Sequence, residues 1–147
     1  MWRAIVNAWN GVDDSKTASS SGEHPQRTPA PVLKFQDVVE IVKKKDPNTV
    51  IVDVREPGEF EVVQIPGSIN VPYTSHPDGF SLNEDDFKST FKVDKPSKNQ
   101  RLVFLCAAGR RAAGAENVAC ENGYHNTAIY SGSMNDWVEK GGDKLVF

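Results

Sequence analysis

Cysteine and histidine are scarce in this chain of 147 residues, which holds two of the first and three of the second. Cys106 and Cys120 form no CxxC pair and are too few for a disulfide framework. His24, His76 and His125 lie too far apart for zinc-ligand spacing, so no metal and no cofactor is expected. A basic excess is missing too: 17 Lys and Arg stand against 20 Asp and Glu, a formal charge of -3. Nucleic-acid binders carry the opposite imbalance, which argues against nucleic acid as a partner. No apolar run approaches the ~18 residues of a membrane-spanning helix. The rest of the composition is ordinary, with 38% hydrophobic and 25% charged residues in a length that suits one domain. The cysteine usage fits a reduced, intracellular compartment.

Residues 1–31 differ from the rest. From Asp13 to Pro31 the chain is rich in Ser, Thr, Pro and Gly and carries hardly a large apolar side chain. Such a stretch buries too little surface to offset its ordering entropy, and reads as a linker. Before it, MWRAIVNAWN places Trp2, Ile5, Val6 and Trp9 on one helical face. Ten residues are too few for an isolated helix in water, so this face needs a surface. It reads either as a presequence or membrane-surface anchor, or as a strap on its own domain. Arg3 is its one charge, whereas import signals are usually Arg-rich.

Residues 32–147 alternate helical and strand patterns and form the folded domain. Phe35, Val38, Val39 and Val42 fit an amphipathic helix that stops at Asp46-Pro47-Asn48. TVIVDV (49–54) and LVFL (102–105) are strands too apolar to be half-exposed. Short helices are expected at 56–62 and 133–140, a brief strand at 68–71, and a turn-rich loop at 73–80. Asn83 caps a helix over 83–91, with Glu84, Asp85 and Asp86 at the positive end of its dipole. A helix over 111–122 ends with Gly123 at its C′ position, and a strand is expected at 127–130. Apolar strands between helices indicate an α/β fold with a mostly parallel central sheet and helices on both faces. Ligands in such sheets gather beyond the carboxyl ends of the strands, which points to Asp53-Val54-Arg55 and to the loop after Leu105.

That loop is Cys106-Ala107-Ala108-Gly109-Arg110-Arg111, and it leads directly into a helix. A glycine three residues after the cysteine permits a positive φ, and two alanines leave the centre of the loop open. A tight loop that opens a helix aims successive backbone N–H groups at one point, and the dipole adds positive charge. A thiol held there ionises more readily than the free-cysteine reference of ~8.5. Its thiolate would attack an electrophilic atom within an anion, and the same donors would stabilise the adduct. A lone cysteine after a strand is more often a small buried hydrophobe; the Ala-Ala-Gly-Arg-Arg beside it favours a nucleophile. Arg110 and Arg111 oppose the helix dipole by a few tenths of a kcal/mol, which an anionic ligand or an acidic neighbour would offset. Cys120 reads as core packing and His76 as a turn or surface residue. An ionised thiolate needs no general base.

These residues resemble the rhodanese (thiosulfate sulfurtransferase) family over about 31–147. Residues 106–111 look like its six-residue active-site loop of a cysteine, four residues and an arginine. VDVREPGEFEVVQIPGSINVP (52–72) is similar to its Asp-x-Arg…Glu…Gly-His-Ile-x-Gly-Ala-x-Asn signature. SGSMNDWVEKGG (131–142) resembles its closing Gly-x-x-x-x-Trp…Gly signature. Two departures stand out: Val63-Gln64 replaces the usual Gly-His, and Gly132-Ser133 replaces Gly-Gly. Neither is expected to touch the thiol chemistry directly. The start of the chain is also similar to fungal mitochondrial members, which implies a mitochondrial location, with the cytoplasm as the alternative.

The resemblance implies a rhodanese-like fold and a ping-pong transfer. Cys106 takes the outer sulfur of thiosulfate or a related donor as a persulfide, and cyanide or a thiol then removes it. On this reading residues Ala107, Ala108, Gly109, Arg110 and Arg111 bind the substrate. Asp53 and Arg55 form a supporting charge pair, Glu59 is structural, and Trp137 is core or pocket wall. Two rivals are a cysteine-dependent phosphatase or arsenate reductase on the same fold, and a persulfide carrier serving a protein partner. The first kind uses five residues between Cys and Arg, and this loop has four.

Overall fold

The computed structural model describes residues 28–147; the amphipathic start and most of the expected linker lie outside them. Five strands form one sheet: β1 (Val32–Leu33), β2 (Thr49–Asp53), β3 (Ile69–Asn70), β4 (Arg101–Leu105) and β5 (Thr127–Tyr130). Their order is β1-β5-β4-β2-β3, and every pairing is parallel. Five α-helices connect them: α1 (Phe35–Lys44), α2 (Pro57–Val62), α3 (Glu84–Phe91), α4 (Arg110–Glu121) and α5 (Ser133–Glu139).

The unbroken apolar runs are explained by burial on both faces of the sheet. Along β4, Leu102 and Phe104 enter one core with Phe80, Phe87, Ala112 and Tyr124. Val103 and Leu105 enter the other, with Val38, Ile51, Met134 and Trp137. Each large side chain so buried contributes about 1.5–3 kcal/mol of transfer free energy, so a polar residue on either face would be costly. Trp137 is fully buried and packs on Phe35, with ring centroids 5.3 Å apart. It is core rather than pocket wall.

Local signals place the helices as expected. Asn83 accepts the Asp86 N–H at 2.8 Å and caps α3. Two elements differ from the sequence reading. The two-residue strand β1 has no counterpart there, because Val32 and Leu33 are too few to show a period, and their pairing with Ile129 and Tyr130 is wholly tertiary. Cys120 is half-buried rather than core. The buried side of α4 is set by Ala112, Ala115, Glu116 and Ala119, and position 120 falls about 100° round the helix from Ala119.

The centre of the sheet fixes where the site lies. Asp53 pairs with Leu105, so β2 and β4 end side by side. The Val54 N–H continues the ladder to the Leu105 carbonyl at 2.9 Å. The segments beyond these two strand ends therefore emerge together.

Candidate active site

Cys106 is the first residue beyond β4 and is 1% exposed. Three residues later the chain turns at Gly109, whose φ of +105° lies in the left-handed region. The turn brings the Gly109 N–H to 2.9 Å from the Cys106 sulfur, immediately before α4 starts at Arg110. The sulfur thus sits beside a helix N-terminus and a donor amide at once. A side chain at position 109 has no room, since a Cβ there would stand 2.6 Å from the Ser131 carbonyl oxygen. Ala107 is half-buried and Ala108 exposed, so the loop opens outward.

The two arginines play unequal parts. Arg110 is exposed at the rim. Arg111 reaches back to α2 and holds Glu59 with both ends of its guanidinium, at 3.0 and 3.3 Å. Glu59 also accepts the Glu56 N–H at 3.1 Å in the capping box of α2. It thereby supplies the acidic neighbour that offsets cationic charge at the start of α4, and it joins two segments 52 positions apart. The Arg111 hydrogen bonds hold the Glu59 carboxyl below its ordinary pKa, against a smaller opposing effect of burial.

This fixes the sign of a pH effect. A depressed carboxylate contributes stability above its unfolded value of 4.5, and loses it as pH falls through the folded value. Both side chains are partly exposed, so the pair is worth only about 0.5–1 kcal/mol. Glu59→Gln is therefore expected to cost that much at pH 7, and the gap to wild type should narrow at a pH below the folded value. Denaturant titrations at both pH values measure it.

Asp53 and Arg55 form an ion pair at the end of β2. The Arg55 guanidinium donates to Asp53 at 3.0, 3.2 and 2.8 Å, and its Nη2 also donates to the Val63 carbonyl at 2.6 Å. Both residues are buried, Arg55 at 5% exposure and Asp53 at 0%. Asn70 fastens the same strand end by donating to the carbonyls of Asp53 and Arg55 at 3.0 and 2.8 Å. At the Val63-Gln64 departure Arg55 is held by the Val63 backbone carbonyl, a contact that does not use the side chain at that position.

The second departure is not remote from the chemistry. Ser133 is fully buried with a φ of +60°, and its Oγ accepts the Cys106 N–H at 3.0 Å while donating to the Tyr130 carbonyl at 2.8 Å. A left-handed backbone costs a non-glycine residue about 1–2 kcal/mol, so the hydroxyl compensates for strain that glycine would avoid. The Gly-to-Ser change is visible in the sequence, but no local pattern there pairs residues 106 and 133.

The two described histidines, His76 and His125, have other neighbours than Cys106. His76 bonds Ser75 at 3.1 Å and packs edge-on against Phe91. His125 lines a cavity of about 300 Å³ with Cys120 and Thr127, and Cys106 is not part of that lining. Among the described residues no cluster of His, Cys, Asp or Glu is arranged to hold a metal ion, and no helix is long and apolar enough to cross a membrane.

The Rhodanese-like domain family matches residues 36–140 of this chain. The chain belongs to the rhodanese-like family. It is 49% identical over 146 residues to the thiosulfate:glutathione sulfurtransferase of Saccharomyces cerevisiae, covering 99% of each. It is 41% identical over 116 residues to the mitochondrial thiosulfate sulfurtransferase RDL2 of the same yeast, covering 78% of each. The crystal structure of RDL2 superposes with a TM-score of 0.75 at 39% identity, covering 78% of this chain and 94% of that one. The rhodanese-like sheet and its helices are therefore common to this chain and to a single-domain sulfurtransferase. In this rhodanese-like domain the loop keeps four residues between Cys106 and Arg111.

Proposed function

We propose that this rhodanese-like protein is a thiosulfate sulfurtransferase that works through a persulfide on Cys106. The observation that carries the reading is the Cys106 sulfur, held 2.9 Å from the Gly109 amide at the start of α4. The Cys106 thiolate attacks the outer sulfur of thiosulfate. The sulfur–sulfur bond of the donor breaks, and sulfite leaves with its electron pair. The loop amides from Ala107 to Arg111 then surround the charged persulfide, where preorganised donors act most strongly. An acceptor thiolate, or cyanide, attacks the outer sulfur and returns Cys106 as thiolate. Each half-reaction is a displacement at sulfur, without change in total charge and without a metal.

Cys106 itself is 1% exposed, so the donor has to bring its sulfur down into the loop. The two alanines leave that path open. Similarity to a thiosulfate:glutathione sulfurtransferase supports a small thiol as the acceptor. Relatives named as mitochondrial support a mitochondrial location. Arg111 serves mainly to tie the loop to Glu59, and Arg110 draws the donor anion. Asp53 and Arg55 act as support at the end of β2.

Intact mass after thiosulfate treatment tests the central step. The wild-type chain should gain one sulfur, and cyanide should remove it. Phosphatase turnover matching or exceeding sulfur transfer would reverse the assignment to sulfur. Arg110→Ala should raise the KM for thiosulfate about 3–10-fold while leaving kcat nearly unchanged, and added salt should narrow the difference. An unchanged KM would remove Arg110 from the donor's path.

A further inference from the structure

Ser133 starts α5 in a backbone conformation that glycine adopts freely and other residues adopt at a cost. The hydroxyl is what glycine cannot supply. Three hydrogen bonds join this turn to the catalytic loop. The Met134 and Asn135 amides donate to the carbonyls of Cys106 and Ala107 at 2.9 and 3.0 Å, and Ser133 Oγ accepts the Cys106 N–H at 3.0 Å. Only the last involves a side chain, so a substitution can delete it alone. With both the N–H and the C=O of Cys106 engaged, its backbone is fixed on either side of Cα, and with it the direction of the Cα–Cβ bond. The Cys106 amide is also committed to Ser133, leaving the donor to sulfur to come from Gly109, at 2.9 Å.

We propose that Ser133 is a positioning residue for sulfur transfer, its hydroxyl fixing the Cys106 backbone so that the sulfur faces the Gly109 amide. This role rests on Cys106 being the residue that forms the persulfide. Ser133 touches neither donor nor acceptor, so its influence falls on the attack and not on donor capture.

Single-turnover persulfide formation, monitored by intact mass over a range of thiosulfate concentrations, separates the two. Ser133→Ala and Ser133→Gly should each lower the limiting rate constant about tenfold, because a small misalignment of reacting atoms is costly. The half-saturating thiosulfate concentration should stay within about twofold of wild type, since Arg110 is untouched. Ser133→Gly is the decisive variant, as it relieves the backbone cost and folds even where alanine does not. A wild-type limiting rate in Ser133→Gly overturns the proposal, and so does a loss confined to the half-saturating concentration. Failure of the persulfide reading looks different: the wild-type chain would then gain no sulfur at all.

Discussion

Cys106→Ser is expected to abolish both the one-sulfur adduct and thiosulfate:cyanide turnover, a loss of at least ~10³-fold in kcat. A serine hydroxyl is a much weaker nucleophile than a thiol, and among the described residues no histidine bonds position 106 to activate it. His76 and His125 are both exposed and bonded or packed elsewhere. The variant should fold normally, because oxygen fits where sulfur did and the Ser133 bond uses the Cys106 backbone. Cys120→Ser is the matching control. Cys120 is half-buried beside His125 and Thr127, so its replacement should leave adduct and turnover nearly intact. Turnover surviving in Cys106→Ser, or lost in Cys120→Ser at normal stability, would move the nucleophile elsewhere.

Gly109→Ala should produce a large loss of stability from a single methyl group. Two penalties add. Alanine at a φ of +105° is strained, and its Cβ would lie 2.6 Å from the Ser131 carbonyl oxygen, a backbone atom that cannot swing away. Together they should cost about 2–4 kcal/mol. If the domain relieves the clash by shifting the loop, the Gly109 amide leaves the sulfur and persulfide formation slows sharply. Thermal unfolding and the single-turnover assay read these effects separately. A variant with wild-type stability and wild-type rate would show that the tight turn is dispensable.

Glu59 shows how far sequence reading reaches and where it stops. Its place in a signature marks it as structural, yet its partner Arg111 lies 52 positions away, and no local pattern encodes that meeting. Asn70 and Ser133 are similar. Each uses a polar side chain to fasten a strand end to the site, through contacts 15 to 27 positions apart. Strand β1 is hidden for the related reason that a two-residue strand exists only by virtue of its neighbour.

Local pattern along the chain was enough to establish the layered α/β architecture, because uninterrupted apolar strands separated by amphipathic helices have to be covered on both sides. It was enough for the tight turn from Cys106 into α4 as well, since a cysteine, small residues, a glycine and a helix start are consecutive and their geometry is local. Which charges and hydroxyls brace that loop was settled by long-range packing. Hydrogen bonds of Ser133 to Cys106 and of Arg111 to Glu59 depend on β2, β4 and β5 lying side by side, and strand order is set by how the layers pack rather than by any neighbour along the chain.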